Sequence, residues 1–313
     1  MNIFVTGGTG FLGYNTVLRL LEDEHQVYAL VRKQDNVLSQ IKNKNLSLIH
    51  GSLENLACVE LPDIDVCVHF AWMGVNRQGV NSPDIQQQNI INTLNLLEFL
   101  KTHHCRLLID AGSRQEYTPA DGIISEASPC VPITEYGRRK LEVYHAILSK
   151  LNDEMKYIHL RIFSIYGNGD HPWSLINTCV EGMIDNKSIK LGMCRHFWSF
   201  LYIDDFTSII SAIVSHINEI RSNTIYNVAS GFIQPLRYFV NSMKVITKSD
   251  SELQFGTFEE NKESVFSLIP DVSKLNIDFS WHETVSFEEG IKRIIRYKFD
   301  YSTRSKPIYF TQV

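Results

Sequence analysis

The chain has 313 residues, of which 44% are hydrophobic and 21% charged, and its formal net charge is −5. That balance suits a soluble globular protein with a sizeable core and argues against a nucleic-acid binder, which would carry a basic patch. The 30 Lys and Arg residues are spread along the chain and form no basic block.

The amino terminus, MNIFVTGG, enters a strand at once, and no apolar run is long enough to span a membrane. Neither secretion nor a membrane partner is expected. Six cysteines without CxxC or repeated Cys/His spacing read as reduced thiols of a cytoplasmic protein, with no metal site.

The first half of the chain alternates apolar runs with amphipathic stretches. The pattern predicts strands at Ile3 to Thr6, Gln26 to Val31, Leu46 to His50, Val66 to Phe70 and Arg106 to Asp110. Helices are predicted from Gly10 to Glu22, Asn36 to Lys42 and Asp84 to Lys101, the last with Ile85, Ile90, Leu94, Leu97 and Leu100 at helical spacing. A helix from Thr134 to Lys150 and a strand from Tyr157 to Ile162 follow. This alternation means an α/β fold with a parallel sheet covered on both faces. After Gly167 the pattern breaks. FLYIDDF (200–206) and TIYNVAS (224–230) read as strand ends, and Phe287 to Tyr297 as a final amphipathic helix.

TGGTGFLG, residues 6–13, lies between the first strand and the first helix. Gly7, Gly10 and Gly13 permit a tight turn and let backbone N–H groups approach a pyrophosphate at the helix amino terminus. Further on, TEYGRRK (134–140) places Tyr136 and Lys140 on one helical face, and DAGSRQEYT (110–118) places Ser113 at a strand end. LRIFSIYGNGD and WSFLYIDDF complete the set.

With these motifs the chain resembles the extended short-chain dehydrogenase/reductase superfamily, in its nucleotide-sugar epimerase/dehydratase/reductase group, over nearly its whole length. The resemblance implies a Rossmann-type doubly wound parallel sheet, residues 1–165, and a smaller C-terminal α/β substrate lobe, residues 166–313, with some segments returning to the first domain. It also implies a homodimer built through the helices at 84–101 and 134–150.

A tyrosine titrates near 10, too high for acid–base work at neutral pH, and an ammonium beside it favours the phenolate. Lys140 is therefore expected to lower the Tyr136 pKa, so that Tyr136 gives a proton to a carbonyl oxygen or takes one from a hydroxyl. Ser113 would hold the same oxygen. By the resemblance, Lys140 also hydrogen-bonds the nicotinamide ribose, and Thr6, Gly7, Gly10, Phe11, Leu12, Gly13, Phe70, Ala71, Trp72 and Asn89 surround the cofactor. Ser164, His171, Trp173, Arg195 and Trp198 fall where the family contacts its sugar nucleotide. His69 reads as a packed histidine and Tyr117 as a wall residue.

The residues after Ser113 separate the reactions. Dehydratases of this group carry an acidic pair there, where this chain has Arg114 and Gln115, and no cysteine stands at Gln115 for 3,5-epimerisation. At the end of the second strand NAD-using members carry an acid for the ribose hydroxyls. Here Val31 takes that place and Arg32 follows, a fork suited to a 2′-phosphate, with Lys33 beside it. The reading is NADPH-dependent reduction of the C4 keto group of a nucleotide-linked 4-keto-6-deoxy sugar, for deoxysugar and O-antigen-type surface polysaccharides. Its runner-up is a 4-epimerase with retained NAD(P), and a third reading is a non-catalytic NADP-binding regulator.

The match departs from the family at the substrate diphosphate. The usual arginine before the Asp-Phe-Ile-Tyr stretch is replaced by Trp198, and near NKESVF only Lys262 is basic. Arg195 is the candidate substitute.

Overall fold

The structure, a computed structural model, describes residues 1–76, 78–220, 223–258 and 266–302. Lys262 lies outside the described residues. Five parallel strands open the fold: β1 (Asn2–Thr6), β2 (Gln26–Val31), β3 (Leu46–His50), β4 (Val66–His69) and β5 (Leu107–Ser113). Between them run α1 (Phe11–Glu22) and α2 (Pro83–Thr102), and α3 (Glu135–Lys150) follows β5. The strands Lys156–Ile162 and Thr224–Val228 complete a seven-stranded sheet, in the order Thr224–Val228, Lys156–Ile162, β5, β4, β1, β2, β3.

β4 and β5 are buried at every position, as a parallel strand covered on both faces must be. The two faces divide by the period-2 alternation of side chains. Ile3, Val5, Val68 and Ile109 enter one core with α1, whereas Phe4, Cys67 and Leu108 enter a second with Leu97 of α2 and Ile147 of α3.

The strand order reverses at β1, which pairs with β2 on one side and β4 on the other. Chain segments leaving β1 and β4 therefore diverge to opposite faces and open a crevice at their carboxyl ends, the usual ligand site of such sheets. The glycine loop and Phe70–Trp72 both emerge there.

The rest of the chain forms α4 (Leu175–Ile184), α5 (Ile203–Ser215), α6 (Leu236–Thr247), α7 (Ser273–Phe279) and α8 (Phe287–Ser302), with α5 sharing the core of α1. Short strand pairs join Phe197–Trp198 to Gln234–Pro235 and Ile189–Leu191 to Leu253–Phe255.

Three expectations need correction. The strand predicted to end at Asp110 runs on to Ser113, so Ser113 sits on the sheet itself. Asn36–Lys42 forms only a single 3-10 turn, Val37–Gln40. FLYIDDF holds a two-residue strand, Leu201–Tyr202, before α5 begins at Ile203. α5 buries Ile203, Phe206, Ile209, Ile210, Ile213 and Val214, and an apolar run of that density looks alike in a buried helix and a strand.

Candidate active site

The crevice is a cavity of about 440 Å³. Its floor is the glycine loop. Gly7 has φ +70°, and a Cβ there would lie 2.6 Å from the Ala71 nitrogen; one on Gly13 would lie 2.2 Å from the Gly7 carbonyl oxygen. Only glycine permits this approach of α1 to β1 and β4, and it leaves the α1 amino terminus facing the cavity, where its dipole and unpaired N–H groups favour an anion. The cradle fits the pyrophosphate of a dinucleotide.

Of the residues expected around a cofactor, Gly7, Gly10, Phe11, Leu12, Gly13, Arg32, Phe70, Ala71, Trp72, Asn89, Tyr136 and Lys140 line this cavity. Thr6 does not; its hydroxyl instead lies 2.6 Å from His69 Nδ1. His69 Nε2 is 3.1 Å from the Thr93 hydroxyl, which itself donates to the Asn89 carbonyl. The His69 ring is thus a neutral cross-brace, and burial holds its pKa down at about 4. Lys33 is exposed and borders no cavity. Asn89 is buried; its Oδ1 accepts the Met73 N–H at 2.8 Å and its Nδ2 donates to the Met73 carbonyl at 2.9 Å, fixing the chain that leaves β4.

Tyr136 is brought to Ser113 by packing that the motif spacing does not reveal. The Thr134 hydroxyl accepts the Gly137 N–H at 3.0 Å and starts α3, and it donates to Gln115 Oε1 at 2.8 Å. A Cβ on Gly137 would lie 2.2 Å from the Gln115 carbonyl oxygen, so the glycine after Tyr136 lets the helix start press against the turn after Ser113. Tyr136 and Ser113 line the same two cavities there, and Ser113 Oγ accepts the Gln115 N–H at 3.2 Å.

The expected effect of Lys140 on Tyr136 is not seen. Enclosure by protein pushes the Tyr136 hydroxyl above its ordinary pKa, with the Ser113 hydrogen bond offsetting only part of that rise. Lys140 is committed elsewhere: its Nζ donates to the Ala111 carbonyl at 2.6 Å and lies 3.5 Å above the centroid of the Trp72 indole. Its distance to the Tyr136 ring centroid is 5.8 Å. Burial lowers the Lys140 pKa to about 8, with Asp110 and Glu116 working against that fall.

Beneath Ser113 lies a charged network that motif reading missed. In the register of β5 with Lys156–Ile162, Asp110 faces His159 and Gly112 faces Arg161. His159 bridges Asp110 and Glu116, at 3.0 Å on each side, and all three side chains are fully buried. Arg161 Nε donates to Glu116 Oε2 at 2.9 Å, and Glu116 Oε1 accepts the Ser113 N–H at 2.7 Å. Burial opposes the charge of His159, but Glu116 and Asp110 outweigh it and raise its pKa to about 9. Burial would raise Asp110, yet His159 dominates and holds it at about 2. The only sequence signal was polar residues inside apolar strands.

Of the residues placed at the sugar-nucleotide contacts, His171 borders the main cavity, and Ser113 and Tyr136 border both it and a neighbouring cavity of about 200 Å³. Trp173 is 56% exposed and stacks on His171 with centroids 4.6 Å apart. Ser164 and Arg195 border neither cavity, and Arg195 is exposed. Trp198 lies under the Arg114 guanidinium. Tyr117 is a core residue, bonded to Asn227 Oδ1 at 2.6 Å. Ser52, Leu53 and Glu54, at the Arg32 end, line the main cavity without having carried a motif.

A parallel seven-stranded sheet, a glycine cradle at its switch point and a Ser-Tyr-Lys cluster above it define a Rossmann-type α/β enzyme of the class that uses a nicotinamide cofactor. The chain belongs to the NAD-dependent epimerase/dehydratase family, whose model matches residues 3–229. It is similar to a CDP-abequose synthase of Yersinia pseudotuberculosis, 25% identical over 88% of this chain and 94% of that protein. It is also similar to a putative UDP-glucose 4-epimerase of Methanocaldococcus jannaschii, 24% identical over 94% of this chain and 97% of that one. Among solved structures, a UDP-glucose 4-epimerase of Thermotoga maritima with UDP-glucose superposes with a TM-score of 0.83 at 22% identity, covering 96% of this chain and all of the other (100%). A dTDP-glucose 4,6-dehydratase of Streptomyces venezuelae with bound NAD gives 0.83 at 22% identity, over 97% and 98%. Among the described residues no helix is long and apolar enough to cross a membrane.

Proposed function

We propose that this chain reduces the C4 keto group of a nucleotide-linked 4-keto-6-deoxy sugar with NADPH. The observation that carries the reading is the end of β2. Val31 is buried and offers no acceptor, while Arg32 lines the cavity with the glycine loop, where its fork suits a 2′-phosphate. The similarity to a synthase of a CDP-linked sugar supports the same substrate class.

The cofactor, when bound, supplies the hydride for the carbonyl carbon. Tyr136 Oη gives its proton to the carbonyl oxygen, and its raised pKa supports this use, because the resting hydroxyl is protonated. Ser113 Oγ hydrogen-bonds the same oxygen and polarises it. Lys140 would hold the ribose, its ammonium kept in place by the Trp72 indole and the Ala111 carbonyl. Phe70, Ala71, Trp72 and Asn89 keep the cavity wall in place, and Phe11 and Leu12 close it at the α1 end.

The second reading, a 4-epimerase with retained cofactor, is favoured by the names of the other relatives. It requires Tyr136 to act first as a base, which a raised pKa disfavours. The test is to offer NADPH and NADH with a set of 4-keto-6-deoxy nucleotide sugars and follow loss of reduced-cofactor absorbance. Oxidation of NADPH in preference to NADH is expected. A protein that purifies with cofactor bound and never consumes NADPH is an epimerase.

A further inference from the structure

Gln115 lies in the turn Arg114–Glu116 that follows Ser113, and its N–H donates to Ser113 Oγ at 3.2 Å. Its carboxamide is oriented by Thr134. The Thr134 hydroxyl accepts the Gly137 N–H and donates its own hydrogen to Gln115 Oε1 at 2.8 Å. The oxygen end of the amide is thus committed to the start of α3. Among the described residues the carboxamide makes no other hydrogen bond, so both Nε2 hydrogens are without a protein acceptor. Gln115 borders the cavity of about 200 Å³ that also contains Ser113 and Tyr136, and Val75, Val80, Ile162 and Phe163 supply its apolar walls. Arg114 completes the lining, with its guanidinium over the Trp198 indole.

We infer that Gln115 Nε2 is the donor for the oxygen on C3 of the substrate sugar, which makes Gln115 a specificity residue for a 3-oxygenated 4-keto sugar. A carbonyl carbon at C4 has two neighbours. C5 carries the ring oxygen and the C6 methyl, whereas C3 carries a hydroxyl or, in a 3-deoxy sugar, only hydrogen. The apolar walls suit the methyl. An amide with two unused N–H groups suits an oxygen acceptor. Ser113 and Tyr136 would hold the C4 oxygen, and Gln115 sits one hydrogen bond from that serine hydroxyl, so an acceptor on the adjoining carbon falls beside it. The carbonyl also acidifies the protons on C3 and C5, and an amide holds the sugar there without removing either. The donor is fixed in advance. Glu116 caps the Ser113 N–H at 2.7 Å and is pinned by Arg161 and His159, so the turn that carries Gln115 is rigid.

This inference rests on the nucleotide-sugar reading, and the test separates the two. The 4-keto-6-deoxyglucose and 4-keto-3,6-dideoxyglucose derivatives of CDP and of dTDP are titrated calorimetrically, with NADP+ present, into the full chain and into Gln115→Leu and Gln115→Glu. NADP+ is titrated into each protein as a control. The wild type should bind the 3-hydroxy sugar roughly 3- to 10-fold more tightly than its 3-deoxy counterpart, since a site built around a donor rejects the analogue that lacks the acceptor. In Gln115→Leu the two should bind equally. Gln115→Glu keeps the acceptor for Thr134 and the length of the side chain, but its carboxylate has no donor, so the preference should vanish there too. NADP+ affinity should not change in either variant. A preference that survives in either variant overturns the assignment, as does a wild type that binds the two sugars equally. Joint loss of sugar and NADP+ binding in Gln115→Glu also overturns it, and makes Gln115 a support of α3. If the sugars bind but NADPH is never oxidised, the reductase reading fails while the preference still decides the role of Gln115. If none of the sugars binds the wild type, the nucleotide-sugar reading fails and the assignment falls with it.

Discussion

The Lys140 ammonium is held 3.5 Å above the centroid of the Trp72 indole, and Trp72 is itself fixed by donating its Nε1–H to Gln86 Oε1 at 2.8 Å. Gln86 is in turn locked, its Nε2 donating to the carbonyls of Gly74 and Gly79 at 3.0 Å each. A buried cation is thereby given an aromatic face instead of a carboxylate, which leaves it charged but acidified, near pKa 8.

Removing that face should acidify it further. A desolvated cation–π contact contributes about 2 kcal/mol, so Trp72→Leu should lower the Lys140 pKa and move the alkaline limb of the activity profile to lower pH. Turnover at pH 7.5 should fall roughly threefold if the limb moves by one unit from about 8. Trp72→Phe should lie between. An unmoved alkaline limb in Trp72→Leu would show that the indole does not govern this ammonium.

The buried imidazole sets a second pH dependence. His159 titrates near 9 in the fold against 6.5 when exposed, so its contribution is fully present below pH 6.5 and is lost as pH rises through 9. Urea unfolding should show stability falling by about 3 kcal/mol across that window. Asp110 acts at the other end: its contribution is present above pH 3.8 and lost as pH falls through about 2. His159→Gln should be less stable at pH 6.5 by about 3–5 kcal/mol, because two buried carboxylates lose their bridging cation, and should lack the alkaline decline. Parallel curves for the two proteins would contradict the bridge.

Arg32→Ala should raise the KM for NADPH at least tenfold and change that for NADH by less than threefold, because a charge-assisted contact to a 2′-phosphate contributes about 1.5–3 kcal/mol. Steady-state kinetics with both cofactors decide it. Equal rises for the two would remove the main support for NADPH use.

The two aspartates of FLYIDDF should behave differently. Asp205 is buried; Oδ1 accepts the Thr284 N–H at 3.0 Å and its hydroxyl at 2.6 Å, and Oδ2 accepts the Val285 N–H at 2.9 Å. Asp205→Ala leaves two backbone donors unpaired and should destabilise by about 3 kcal/mol in urea. Asp204 pairs with Arg293 at 2.9 Å, with the two side chains 59% and 38% exposed, and Asp204→Ala should cost less than about 1 kcal/mol. Equal losses would mean that the pair acts as one unit.

Short-range pattern by itself determined the first five strands, the glycine loop, the helix carrying Tyr136 and Lys140, and the absence of an acid at Val31. Each depends on spacing within a few residues, where periodicity, steric need and helix geometry leave a direct trace. The start of α5 did not, because FLYIDDF joins a two-residue strand directly to a helix and so short a stretch holds too little period to tell the two apart. The contacts that organise the site were decided by the tertiary structure alone. His159 meets Asp110 and Glu116 across 49 and 43 residues, Lys140 meets Trp72 from another element, and Arg114 meets Trp198 from a separate strand pair. Strand register and tertiary packing create those pairs, and a charge or an indole carries no local mark of the distant partner it will meet.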